Sequence, residues 1–202
     1  KNYTYGKLNA LVHKRRAGLY RPAKGRPYIL VGDNRLDVFV TLYALLEERI
    51  PFLLLHPTIT EHEKEALLKQ IHAIDAPIPD GVAAVLMTSG TTGTPKPAML
   101  TRSALAASAW SSAQNIALTK HDAWLMSLSV SRIGGLSILT RSLAARSRVV
   151  LFPRFCAREF ICALKENAVT LASIVPTMLA KLLEEFPNFK PESSLRAILL
   201  GG

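Results

Sequence analysis

Between residues 28 and 200, short apolar runs alternate with longer stretches of helical period, and no other property narrows the folds open to the chain so far. "YILV" at 28–31 predicts a strand, "RLDVFVTLYALLEE" a helix and "PFLLL" a second strand. "TEHEKEALLKQIHA" predicts a helix that opens with Thr60 and carries Glu63 three residues on, the spacing of a capping box. After the Pro-rich link "DAPIPDG" (75–81) the rhythm resumes with "VAAVLM", a helix from about Ser103 to Asn115, "AWLMSL", a helix after Gly134 and Gly135, and "RVVLF". The helix "REFICALKENA", the strand "LASIV", a helix after Pro176 and the strand "LRAILL" complete it. Strands separated by helices pair in parallel, so the expected class is α/β: parallel-rich sheets flanked by helices, with ligands beyond the carboxyl ends of the strands. The link divides the chain into a first α/β portion, 1–80, and a second, 81–202.

The 202 residues, 49% of them apolar, suffice for a substantial core. No apolar run reaches the ~20 residues of a membrane span, and "KNYTYGKLNA" lacks the apolar segment of a secretory signal, so the default compartment is the cytoplasm. Cys156 and Cys162, six apart, are expected on one helix as ordinary buried thiols. His13, His56, His62, His72 and His121 show no ligand spacing, and no metal-ligand cluster is assigned. The formal charge of +10 suits an anionic partner, but Lys and Arg are scattered. "HKRR" at 13–16, the one dense cluster, reads as a solvated basic face, and without a nucleic-acid motif no nucleic-acid partner is expected.

The first strand of the second portion runs into "TSGTTGTPK", residues 88–96. Thr88, Ser89, Thr91, Thr92 and Thr94 each supply a hydroxyl donor, Gly90 and Gly93 admit a bulky anion close to backbone N–H groups, and Lys96 adds a point charge. Charge-assisted hydrogen bonds of this kind are worth ~1.5–3 kcal/mol each, so a handful hold a triphosphate against water. The spacing is not that of a P-loop, because Pro95 stands where its second Gly belongs. A Ser/Thr/Gly run is also the composition of a flexible surface loop. Here the run is pinned between apolar segments and contains Pro95 and Pro97, which stiffen it.

"TSGTTGTPK" resembles the signature loop of the acyl-adenylate-forming enzymes, and the resemblance continues through "YTYGKLNALV", "LYALLEERIPFLLLHPTITEHEK", "GGLSILTRSLAARSRVVLF", "LASIVPTMLAKLLEE" and "LRAILLGG". "GGLSILTRSL" with "VPTMLAKLLE" looks most like the o-succinylbenzoate CoA ligase branch of menaquinone biosynthesis. The resemblance implies that a small-molecule carboxylic acid attacks the α-phosphorus of Mg²⁺-ATP and that the thiol of coenzyme A then displaces AMP. It implies Lys96 as the catalytic cation and Thr88, Ser89, Gly90, Thr91, Thr92, Gly93, Thr94, Gly201 and Gly202 around the nucleotide, the last two beginning the adenine-binding segment. Arg132, Gly134 and Gly135 fall where the family lines its acyl site. Arg132 is suited to a bidentate pair with a second substrate carboxylate; an exposed loop Arg is the alternative, as close helix packing is for the glycines.

Three positions depart from the family pattern: Pro97 follows the loop lysine where Gly is usual, Arg102 replaces a His, and Arg132 replaces another. The expected extent is the first part of a large N-terminal AMP-binding domain, 1–202, without the C-terminal lid domain and inactive by itself. A non-catalytic nucleotide-binding remnant of an adenylate-forming enzyme and another acyl-CoA synthetase are the competing readings.

Overall fold

The computed structural model describes residues 1–73, 76–88, 96–191 and 193–201. These form two compact units, residues 1–104 and 105–202, so the division falls early in a helix rather than at the Pro-rich link.

In the first unit, helix α1 (Tyr5–Ala17) precedes β1 (Tyr28–Val31), α2 (Leu36–Glu47), β2 (Phe52–Leu55), α3 (Glu61–Ala73), β3 (Val82–Thr88) and β4 (Lys96–Thr101). The sheet order is β1-β2-β3-β4, with β1, β2 and β3 parallel and β4 antiparallel to β3. Every residue of α2 from Val38 to Leu45 is buried, as in a helix packed on all sides, and α1 lies against it. The capping box at the start of α3 is present: Thr60 N donates to Glu63 Oε2 at 2.8 Å and Glu63 N to Thr60 Oγ1 at 3.2 Å. The first helix escapes the apolar pattern. Helix α1 buries only Val12 and instead presents Lys14, Arg15 and Arg16 at its C-terminal turn, where the helix dipole favours cations. Of the "HKRR" cluster, Arg16 is not merely solvated: it pairs with Glu47 and Glu48 at the end of α2.

The second unit holds most of α4 (Arg102–Ile116), then β5 (Ala123–Met126), α5 (Ile133–Ala145), β6 (Arg148–Leu151), α6 (Ala157–Glu166), β7 (Leu171–Ile174), α7 (Pro176–Glu185) and β8 (Ala197–Leu200). Its sheet is wholly parallel, in the order β6-β5-β7-β8. Leu125, Ala172 and Ile174 pack under Phe160 and Leu164 of α6 and Leu182 of α7, while α5 lies along β5 and β6. Cys156 caps α6 and is half-buried, whereas Cys162 is exposed, so the expectation of two buried thiols is corrected.

At the amino ends of these strands Asp122 ties distant segments together. Arg196 donates to both its oxygens (Nε 2.9 Å, Nη2 3.0 Å), Thr170 Oγ1 to Oδ1 at 2.7 Å and Thr119 N to Oδ2 at 2.8 Å. Burial works against the charge, but these donors outweigh it and hold the Asp122 carboxyl well below the usual carboxylate range.

Candidate functional site

Strand β3 delivers the hydroxyl-rich run. Its first five residues, Val82 to Leu86, are buried, and the strand emerges at Thr88, which is exposed at the carboxyl end. There it pairs with Lys96, the first residue of β4, and Thr88 Oγ1 donates to Lys96 O at 3.0 Å. Lys96 therefore stands in a strand, not in the loop where the sequence reading put it. The two ends of the run are held opposite each other across a hairpin, and Ser89, Gly90, Thr91, Thr92, Gly93, Thr94 and Pro95 lie outside the described residues. The departure at Pro97 is accommodated because β4 is an edge strand, where a missing N–H is tolerated. Arg102 is taken up by the scaffold: its backbone N donates to Gly81 O at 2.9 Å and its Nη1 to Leu46 O at 2.7 Å.

In the second unit, β5 leads to β6 on one side and β7 lies on the other, so the connections diverge beside the carboxyl end of β5. Such a switch point leaves a crevice suited to ligands. Residues 127–135 follow β5 there. Arg132 is exposed and occupies the N-cap of α5 without a side-chain cap bond. Gly134 and Gly135 are inside the first turn of α5 rather than before it. A Cβ on Gly135 would lie 2.1 Å from Ser129 O, so that glycine is needed for the chain to pass; at Gly134 it would meet only Leu128 Cδ1, at 3.0 Å. Thr177 is exposed in the first turn of α7 and Met178 packs on the core, while Gly201 N, beyond β8, donates to Ile174 O at 3.1 Å. Gly202 lies outside the described residues.

The structure adds polar groups that the sequence reading passed over. Trp124 Nε1 donates to Ser173 Oγ at 3.0 Å, Ser127 Oγ donates to Ser173 O, and Ser129 and Ser131 share a hydrogen bond of 2.8 Å. The hydroxyls of "SLSVS" directly after a buried strand were the available signal. Chemically, then, the described residues of the first unit set the Thr88 hydroxyl and the Lys96 ammonium side chain at one end of a strand pair, and the second unit offers a crevice edged by hydroxyls, glycines and one guanidinium. Among the described residues no group of three His, Cys, Asp or Glu is placed to hold a metal ion.

Comparison with known proteins agrees with this geometry. The chain is 41% identical over 146 residues to a 2-succinylbenzoate–CoA ligase of Bacillus licheniformis, a stretch covering 72% of this chain and 28% of that protein. It is similar to the o-succinylbenzoate CoA synthetase (MenE) of Bacillus subtilis in complex with the acyl-adenylate intermediate OSB-AMP, with a TM-score of 0.84 and 28% identity, covering all of this chain and 63% of that one. The same synthetase in complex with ATP and magnesium ion gives a TM-score of 0.84 and 28% identity, with 50% of that chain covered. The profile of the AMP-binding enzymes matches residues 65–202, more than half of the sequence, and this chain belongs to the AMP-binding enzyme family.

Proposed function

We propose that the protein is an acid–CoA ligase that activates o-succinylbenzoate as an acyl-adenylate, and that residues 1–202 form part of its N-terminal AMP-binding domain. The observation that carries the reading is the β3–β4 hairpin, which sets Thr88 and Lys96 at the two ends of the "SGTTGTP" run. The resemblance to synthetases solved with ATP and magnesium and with an acyl-adenylate supports it.

In this mechanism the hydroxyls and backbone N–H groups of 88–94, with Lys96, hold the β- and γ-phosphates of MgATP in line for attack. The substrate carboxylate forms a bond to the α-phosphorus, and the bond to pyrophosphate breaks. The thiol of CoA then attacks the acyl carbon, and AMP leaves with the pair of electrons of the acyl–oxygen bond. Neither step demands a strong base; positioning and neutralisation of phosphate charge carry the catalysis. Arg132 pairs with the second carboxylate of the substrate, Gly134 and Gly135 shape the adjoining wall, and Gly201 and Gly202 lead toward the adenine. With ATP and CoA as substrates, the working compartment is the cytoplasm, which accords with the absence of a helix long and apolar enough to cross a membrane among the described residues.

The test is release of pyrophosphate by the full-length protein with ATP and CoA over a panel of carboxylic acids. Release with o-succinylbenzoate well above that with monocarboxylic benzoates is expected. Release with none of the acids overturns the ligase reading in favour of a nucleotide-binding remnant.

A further inference from the structure

The amino ends of β1, β2 and β3 border a second concave site, at the opposite edge of the sheet from Thr88. Because β3 runs seven residues from Val82 to Thr88 at ~3.3 Å each, the two sites are separated by about 20 Å. The basin has a volume of about 330 Å³, at the small end of the range for ligand pockets. Its walls come from three segments, 21–26, 48–51 and 78–82.

These walls are built rather than loosely apposed. Ile78 N donates to Gly25 O at 2.9 Å, and Tyr28 N to Pro51 O at 2.7 Å. Gly25 has φ +77°, and a Cβ there would lie 2.4 Å from Pro77 Cβ, so the 21–26 and 77–82 segments meet where only glycine fits. Pro22, Pro51 and Pro79 stiffen the three segments.

The charge of the basin is unbalanced. Arg21, Lys24, Arg26 and Arg49 line it, against Glu48 and Asp80. Glu48 is already taken by Arg16 and Arg21, whose hydrogen bonds hold its carboxyl below the usual range. Lys24 and Arg49 make no ion pair among the described residues. Next to the same residues stands the half-buried Arg102, hydrogen-bonded to Leu46 O and Gly81 O, with Nη2 buried and unpartnered among the described residues. Burial first, and then the nearby charge of Arg49, work against the Arg102 guanidinium, and neither side chain makes an ion pair among the described residues. A hollow walled by three proline-bearing segments, with four cations against two carboxylates of which one is already paired, is short of an anion.

We propose that this basin is a binding site for a small polyvalent anion, bearing phosphate or carboxylate groups, separate from the nucleotide loop. Lys24 and Arg49 supply the charge. The loop 88–96 takes no part, so the inference does not depend on the ligase reading.

Isothermal titration of the protein with citrate and with inorganic pyrophosphate, at constant ionic strength, tests it. Citrate probes a carboxylate-bearing ligand and pyrophosphate a phosphate-bearing one. Binding of at least one probe should persist in Lys96→Ala and weaken tenfold or more in the double variant Lys24→Ala/Arg49→Ala. Both substituted side chains are exposed, so the double variant should melt within a few degrees of the parent. Absence of binding by both probes in the parent overturns the proposal, as does binding that only Lys96→Ala removes. Asp80→Asn, which withdraws one of the two carboxylates, should tighten binding; a loss matching that of the double variant would also overturn it.

Discussion

Lys96 is exposed at the first position of β4, beside the residues that would hold the departing pyrophosphate. Since pyrophosphate has left before the thiol attacks, Lys96→Ala should slow adenylation tenfold or more, one charge-assisted hydrogen bond being worth ~1.5–3 kcal/mol. Thioester formation from preformed acyl-AMP should change little; equal losses in the two half-reactions, measured by single-turnover kinetics, would remove Lys96 from its assigned role. Arg132 gives a test of substrate. Arg132→Leu should weaken o-succinylbenzoate and spare a monocarboxylic analogue, since only the former offers the guanidinium a second carboxylate. Comparable losses for both acids would direct the guanidinium toward phosphate instead. The neighbouring glycines separate fold from function. Gly135→Ala forces a Cβ against the Ser129 carbonyl and should lower stability by ~1–3 kcal/mol or more, read from urea melts. Gly134→Ala meets only the tip of Leu128 and should leave stability within ~1 kcal/mol of the parent, Ala being the better helix former. A fall in kcat/KM in that variant without a fall in Tm would place Gly134 at the acyl pocket.

At the scale of elements, the predicted strands and helices after residue 28 are present, most of them because they carry enough apolar residues at their own period to reveal the face they bury. The exceptions are instructive. α1 follows no apolar stripe, since Val12 alone is buried along it, and its place is set by Arg16 reaching Glu47 and Glu48. β4 opens on Lys96 and Pro97, poor strand residues, and exists because β3 offers it a ladder from Val82 to Thr88. The hydroxyl-rich run at 88–96 was legible as a unit because its residues are contiguous. The Asp122 knot was not, since Arg196 stands 74 residues away and the partnership exists only once β5, β7 and β8 align. Asp122→Asn should cost about 2–3 kcal/mol, less than a fully buried pair because the Arg196 side chain is 39% exposed. The pH dependence follows from the lowered carboxyl. With the folded value below the unfolded one of about 4, the contribution is complete above the unfolded value and is lost as pH falls through the folded one. Acid melts of the parent and of Asp122→Asn should therefore converge as pH drops; a gap unchanged down to pH 2 would mean that the carboxylate is not the group being read.

For the molecule as a whole, each unit has its own sheet and its own core, and the candidate groups sit on the carboxyl edges of those sheets rather than inside them. Positive charge gathers at both ends of the first sheet, in the basin at the amino ends of its parallel strands and at Lys96 beside the carboxyl end of β3. The pairing of Thr88 with Lys96 closes a seven-residue segment, 89–95, at a point where the ladder is already complete. The entropy of closing a segment grows only as the logarithm of its length, so doubling it would cost the fold about 0.6 kcal/mol. The same insertion would scatter the donors that a triphosphate needs in register. On the proposed function, length in this stretch is thus nearly invisible to folding and decisive for ligand: a variant library of inserted residues should yield proteins that melt like the parent and lose nucleotide binding, as calorimetry and titration with ATP would read.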